Sequence, residues 1–278
     1  MLAWLRNINK TPVVSIRNRR LLFGLAASLC ILLALSGVYA CDSLQMQRLA
    51  EKQWNDLLSR GVIRVGIDPG IKPFSTYDDT GWTGMDADVM RELARRLNLR
   101  AGTAPVGYDS LYDALHLWQV DVVISAVPID PSRTAEFAYT RSYFDAGLRL
   151  LSLKQNPLKT AAQLSRKRVV VVLGSDADRL ARYWQRRLTD MTRLEAPDDA
   201  SAFAMLQTSR ADAMIAGALT GERIKQSVTN VVDSVLQPRP YAIALRKDNP
   251  LLLQHLNDAL KAMQSDGTLQ RIIERWTR

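Results

Sequence analysis

The chain has 278 residues, 47% of them hydrophobic, and a formal net charge of +9. Five of those charges (Arg6, Lys10, Arg17, Arg19 and Arg20) precede the first apolar run, and residues 1–40 hold no acid, which leaves +4 for the rest. The pI of about 9.8 is therefore partly a targeting signal and argues only weakly for nucleic-acid binding. The two cysteines, Cys30 and Cys41, exclude a disulfide framework, because Cys30 lies inside the apolar run.

Residues 21–40 are uncharged and mostly apolar and follow a basic n-region, 1–20. This is the pattern of an export signal with its positive end inside. The length suits a retained transmembrane anchor. Val38-Tyr39-Ala40 also offers small residues to a signal peptidase. Followed by Cys41 it resembles a bacterial lipoprotein cleavage box, with Tyr39 where a small residue is usual. Anchor, lipid on Cys41 and plain cleavage all place the body outside the cytoplasmic membrane. Residues 41–60 read as a helical spacer.

From Gly61 the pattern alternates between strand and helix. A strand is expected over 62–67, stopped by Asp68-Pro69-Gly70, and a turn at Asp79-Thr80-Gly81. A helix over 86–97 turns Val89, Met90, Leu93 and Leu97 to the core. A strand over 99–106 and a short helix over 110–118 follow. Residues 120–127 are a Val/Ile-rich run that reads as a strand buried on both faces. Asp130 and Pro131 then read as the cap and first residue of a helix, with Arg133 in its first turn. Ligands of open α/β sheets bind just past the carboxyl end of such a strand, and a guanidinium there can hold a carboxylate bidentately. The plainer alternative is an exposed arginine paired with Asp130 or Glu136.

A strand over 148–153 and a break at Gln155-Asn156-Pro157 precede a second α/β block. It comprises a strand over 168–173, a helix over 176–188, a weak strand over 191–194 and a helix to Thr208 capped by Asp198 or Asp199. Strands over 211–216 and 231–236 complete it. After Pro238-Arg239-Pro240 come a strand over 241–245 and helices over 250–263 and 268–276, separated by Asp266-Gly267. Two blocks of this kind imply two mostly parallel sheets with a cleft between them and a hinge of two crossings. The expected division is 61–152 plus 241–278 as lobe 1 and 153–240 as lobe 2.

Several ordered blocks carry a resemblance: Gly61-Val-Ile-Arg-Val-Gly-Ile-Asp68 leading to Pro73-Phe74, Gly81-Trp-Thr-Gly-Met-Asp-Ala-Asp88, and Val120-Asp-Val-Val-Ile-Ser125. Ile129-Asp-Pro-Ser-Arg133, Val172-Leu-Gly-Ser175, Arg210-Ala-Asp-Ala-Met214 and Tyr241-Ala-Ile-Ala-Leu-Arg-Lys-Asp248 continue them. Together they resemble the extracytoplasmic solute-binding proteins of amino-acid-type ABC importers, family 3. The resemblance implies a type II periplasmic-binding-protein-like α/β fold and a small amino acid or related organic anion held in the cleft. It also implies an ABC permease in the cytoplasmic membrane as partner, with no nucleic acid. Carried over by position, Arg133 would clamp the ligand carboxylate, and Phe74 and Tyr108 would pack at the mouth or floor. Asp68 and Ser125 would line the first lobe, and Ser175 and Asp176 the second. Each has a structural alternative: Phe74 as core, Ser125 as a small residue for sheet packing, Asp68 as a turn cap.

Two positions depart from the family pattern. Amino-acid receptors of the family usually carry an Asp where Gly217 stands, and it binds the ligand ammonium. They commonly have a hydroxyl residue where Pro128 stands. The carboxylate half of the site is thus present, while the amine half is missing or passes to Asp68 or Asp176. No cofactor is expected, since His116 and His255 lie mid-helix without ligand-spaced neighbours. Two other functions share the fold: a membrane-anchored sensory or scaffold module with a degenerate pocket, and a periplasmic cyclohexadienyl-dehydratase-like enzyme. The enzyme would need an acid at a leaving hydroxyl, for which Asp68, Asp86 and Asp176 are the candidates.

Overall fold

The computed structural model describes residues 45–79 and 81–278. The basic segment, the apolar run over 21–40 and Cys41 lie outside the described residues. The chain divides into two compact units, Met1–Lys52 and Gln53–Arg278. In the first, residues 45–52 are helical, and in the second 53–60 are helical. Trp54 stacks on His255 at 4.0 Å between ring centroids.

The second unit holds two five-stranded sheets. In chain order the first block of the chain holds β1 (Val62–Ile67), β2 (Thr76–Asp78), β3 (Gly81–Thr83), α1 (Met85–Arg96) and β4 (Arg100–Pro105), with β2 and β3 forming a separate two-stranded ladder. Then come α2 (Leu111–His116), β5 (Val122–Val123), β6 (Phe137–Tyr139) and β7 (Phe144–Asp145). The second block runs β8 (Leu148–Leu153), β9 (Arg168–Val172), α3 (Asp176–Gln185), β10 (Thr192–Ala196), α4 (Asp199–Gln207), β11 (Ala213–Gly217), α5 (Ala218–Ser227) and β12 (Val231–Gln237). The chain returns through β13 (Pro240–Tyr241) and β14 (Ala244–Arg246) to α6 (Pro250–Ser265) and α7 (Thr268–Trp276).

The sheet orders are β4-β1-β5-β14-β6 and β10-β9-β11-β8-β12. In each, three parallel strands are followed by one reversed strand and a fifth that runs antiparallel to it. The reversed strand, β8 or β14, is the first that the chain makes after each crossing. The crossing segments themselves pair as the antiparallel ladder β7·β13. Gly147 lies beside that ladder, and a Cβ there would stand 2.0 Å from the Gln237 carbonyl oxygen. Only glycine allows the two crossings to approach so closely.

Burial explains most elements. Helix α1 turns Val89, Met90 and Leu93 into a core shared with Ile63, Val65, Leu256, Leu260 and Ile272. Helix α2 covers the other face of the first sheet with Leu111 and Leu115. Asp88, a buried residue in the first turn of α1, accepts hydrogen bonds from Arg275 at 3.0 Å and from the Trp276 indole at 2.8 Å, tying α7 to α1. Gly84, at φ 123°, opens α1 where a Cβ would meet the Phe74 carbonyl oxygen at 2.2 Å.

Four readings of the sequence change. The run over 120–127 is buried throughout, but only Val122–Val123 keeps the ladder. Asp121 is taken by Arg60 and by the N–H and guanidinium of Arg64, and Ala126 turns away at φ 50°. The helix expected from Asp130 is a single 3-10 turn, Pro131–Arg133, capped as expected by Asp130 on the Ser132 N–H. It stops because Phe137 joins the sheet beside Arg246. Strand β8 pairs with β11 and β12, so it stands in the second sheet rather than in the 61–152 segment. The strand over 241–245 is two short ones, interrupted at Ala242-Ile243 as the chain leaves the hinge ladder.

Candidate functional site

The strand order reverses beside β1 in one sheet and beside β9 in the other. β1 is flanked by β4 and β5, and β9 by β10 and β11. The crevices outside the carboxyl ends of these strands are where open α/β sheets bind ligands. At the first reversal stand Asp68 and Ser125, and at the second Ser175 and Gly217.

The first-lobe crevice is knit together by its own side chains. The Asp68 N–H donates to Ser125 Oγ at 3.0 Å. The Asp68 carboxylate accepts the Gly70 N–H at 2.7 Å and the Tyr108 N–H at 2.7 Å. Asp68, Ser125 and Tyr108 are thus brought together, but the acid caps two backbone amides and Ser125 is fully buried. Tyr108 is half exposed on its 3-10 turn. Phe74 is a core residue, edge-on to Phe144 at 5.6 Å and to Tyr241 at 5.4 Å.

Behind this crevice Asp86 is fully buried. It accepts the Ala126 N–H at 2.8 Å and the Tyr143 hydroxyl at 2.7 Å. Burial pushes its carboxyl up to about 7, against the lowering effect of those two donors. Asp86 therefore fixes the left-handed turn that follows Ser125, and its burial keeps it from any bound solute.

Arg133 is separate from that group. Its guanidinium lies 4.3 Å from the Tyr112 ring centroid, and its Nε is 3.4 Å from Asp130 Oδ2. The side chain is 49% exposed, and its one ion pair leaves the outer edge of the guanidinium fork to solvent.

The second-lobe crevice is more open. Ser175 caps α3, accepting the Asp178 N–H at 3.1 Å and donating to the Val172 carbonyl at 2.7 Å. Buried Asp178 accepts the Gly174 N–H at 3.0 Å and pairs with Arg182 and Arg193. So a buried aspartate holds the turn at each reversal, Asp86 on one side and Asp178 on the other. Gly217 precedes α5 at φ −67°, with nothing within 4 Å of a Cβ placed there.

A cavity of about 540 Å³ is lined by Ser175, Asp176, Gly217, Asp198, Asp199 and Thr220. Thr220 donates its hydroxyl to Asp199. A second, of about 710 Å³, is bounded by Asp176, Arg179, Tyr183 and Arg239. Ala146, Leu148 and Asp176 line both. Three residues of these walls escaped the sequence reading. Asp198 and Asp199 looked like a helix cap, which Asp198 is, accepting the Ser201 N–H at 2.7 Å. Arg239 looked like hinge punctuation, yet its guanidinium lies 5.9 Å from the Tyr241 ring centroid and close enough to Tyr108 to lower that phenol's pKa against a larger upward push from burial. No spacing rule would have marked any of the three. Among the described residues no cluster of His, Cys, Asp or Glu is placed to hold a metal.

Paired reversal crevices facing a two-strand hinge define a bilobed solute receptor. Residues 63–278 match the bacterial extracellular solute-binding proteins, family 3, and the chain belongs to that family. The L-cystine-binding protein TcyJ of Escherichia coli K12 is 30% identical, over 80% of this chain and 85% of that protein. An ancestral cationic amino acid solute-binding protein, AncCDT-1, is 30% identical with a TM-score of 0.56, covering 81% of this chain and all of that one. An ancestral cyclohexadienyl dehydratase, AncCDT-3, shares the fold at 22% identity and a TM-score of 0.64, over 81% of this chain and 95% of that one. The two more similar proteins are binding proteins. The family is extracytoplasmic, and no helix among the described residues is long and apolar enough to cross a membrane.

Proposed function

We propose that the chain captures an amino-acid-type solute, with a carboxylate at one end and a cationic group at the other, and presents it to an ABC permease. The observation that carries this is the acidic wall of the second lobe. Asp176, Asp198 and Asp199 line one cavity with Gly217, so carboxylates surround the place where the usual amine-binding acid is missing. A buried ammonium needs such a counter-charge. Asp68 is committed to two amides, whereas Asp176, though paired with Arg179, keeps its side chain 61% exposed beside Gly217, so Asp176 is the acid that takes over the amine.

At the other end Arg133 holds the carboxylate when the lobes close, with its fork free and its ring contact to Tyr112 fixing the plane. Arg239 on the hinge side of the larger cavity steers the anion without clamping it. The likeness to a cationic amino acid receptor supports a basic amino acid as the first ligand to try.

Residues 21–40, or a lipid on Cys41, hold the receptor at the extracytoplasmic face. The mass of the mature N-terminus tests this, since an intact Met1 would show a retained anchor. The dehydratase reading has little support, because Asp86, whose carboxyl burial raises to about 7, is sealed from the cleft. Thermal-shift screening of the full-length chain against the common amino acids tests the main reading. A shift with small carboxylates and no turnover of prephenate supports it. Release of product from prephenate would overturn it, and silence across the panel would favour a scaffold.

A further inference from the structure

The first sheet ends at β4, which pairs with β1 on one side only. Arg100 and Val106 donate their N–H groups across that ladder, to the Gly61 and Ile67 carbonyls at 2.9 and 3.0 Å. Residues of a parallel strand alternate in this respect. Gly102 and Ala104 therefore face β1, while Ala101 and Thr103 direct N–H and C=O groups outward. Neither has a backbone partner on that side among the described residues. Pro105 holds the next outward position, where the missing N–H costs nothing.

Ala101 and Thr103 line a groove of about 710 Å³ between this edge and helices α1 and α7. Leu99 and Ile272, both nearly buried, form its floor. Its rim carries five exposed arginines, Arg91, Arg95, Arg100, Arg271 and Arg275, against two carboxylates. Those two are already shared: Asp88 pairs with Arg91 and Arg275, and Glu92 with Arg95 and Arg96. Arg100 has no ion-pair partner among the described residues, and Arg271 donates only to the Thr268 hydroxyl and the Asp266 carbonyl.

An open edge beside an apolar floor is a template for strand addition. The charge of the rim selects what can be added. Two copies meeting edge to edge would bring two arginine rims together, whereas an acidic strand would neutralise one. We infer that the β4 edge receives an extended acidic segment of a partner protein, paired with the backbone of Ala101 and Thr103 and with its carboxylates on the arginine rim. The groove shares no lining residue with the solute cavities, so this surface stands apart from the solute reading.

The test is fluorescence anisotropy of a labelled peptide of about eight alternating Glu and Val residues, the length of an ordinary strand, against the full-length chain in neutral detergent. The peptide binds saturably, and its Lys/Val counterpart does not. Thr103→Pro, which removes an outward N–H, and Arg100→Glu/Arg271→Glu each weaken binding by about tenfold or more. Thr103→Val, which keeps the N–H, binds as the parent, and melting curves of all variants stay superimposable with it. Equal binding to Thr103→Pro would overturn strand addition in favour of charge alone. Absence of peptide binding, with recruitment to phosphatidylglycerol vesicles through Arg100 and Arg271, would overturn it in favour of a lipid surface.

Discussion

The Asp86 carboxylate and the Ala126 N–H are joined by a buried hydrogen bond of 2.8 Å. It fixes the turn that follows β5 and Ser125 and leads to the loop that carries Arg133. Ala126 stands at φ 50°, a conformation that costs a non-glycine residue energy unless its surroundings impose it. Asp86 imposes it, with Tyr143 as second donor.

This pair makes stability depend on pH. The folded-state pKa of Asp86 is about 7, raised by burial above the ordinary 3.8. The folded protein therefore keeps a proton that the unfolded chain releases. The group's stabilising contribution is full below the unfolded value and is lost as pH rises through about 7. Melting temperatures measured from pH 4 to 8 should fall over this window, and Asp86→Asn should flatten that part of the curve. An unchanged slope in the variant would show that another group is responsible.

Asp178→Asn tests the matching device in the second lobe. Arg182, the Gly174 N–H and Arg193 hold this carboxyl below its ordinary range despite its burial. Removing the charge leaves Arg193, whose side chain is 12% exposed, paired with Glu195 alone. A charge-assisted hydrogen bond left unmade at a buried site costs about 1–3 kcal/mol, readable by urea denaturation at neutral pH. The wild-type contribution disappears as pH falls below the ordinary carboxylate value, so the difference between variant and parent should shrink in acid.

Gly217→Asp should restore an amine-binding acid. The site has room for a side chain and ordinary backbone angles, so stability should stay within about 0.5 kcal/mol of the parent, as for open surface positions. Affinity for an α-amino acid, relative to its des-amino analogue, should rise by about tenfold or more, as for a newly made charge pair. Parallel calorimetric titrations of the two ligands measure this.

Gly147→Ala strikes the hinge. Its Cβ would collide with the Gln237 carbonyl and the Arg239 N–H, which are backbone atoms that cannot swing aside. Denaturation should show a loss of more than about 1 kcal/mol, the range of over-packed sites. An unchanged midpoint would mean that the two crossings are looser than described.

Much of this fold is legible in the sequence because burial follows period. The α1 stripe of Val89, Met90 and Leu93 and the caps at Asp130, Ser175 and Asp198 needed only local rules. Helix α5 was not legible: its cap residue Gly217 carries no side chain, and Gly221 interrupts its pattern where the helix passes Arg149. The run over 120–127 misled for a different reason. Its burial is as read, but the ladder ends where Asp86 captures the Ala126 N–H, a contact forty residues away in the chain. In the candidate site, Asp130 caps the turn that carries Arg133, and Ser175 caps the helix that begins at Asp176, both by local hydrogen bonds. Arg239, Asp198 and Asp199 reach the cavities only through the hinge and the β10–α4 turn, and no spacing encodes that.

In the proposed receptor Arg133 clamps the carboxylate of an amino-acid-type solute. Titration calorimetry of the full-length chain with L-arginine, L-cystine and the other common amino acids tests it, repeated with Arg133→Ala and Arg239→Ala. At least one amino acid should bind with one-to-one stoichiometry. Arg133→Ala should weaken it by about a hundredfold, the cost of removing a charge clamp, without lowering the melting temperature, and Arg239→Ala should weaken it far less. Undiminished affinity in Arg133→Ala, or no binding heat from the parent with any member of the panel, would contradict the account.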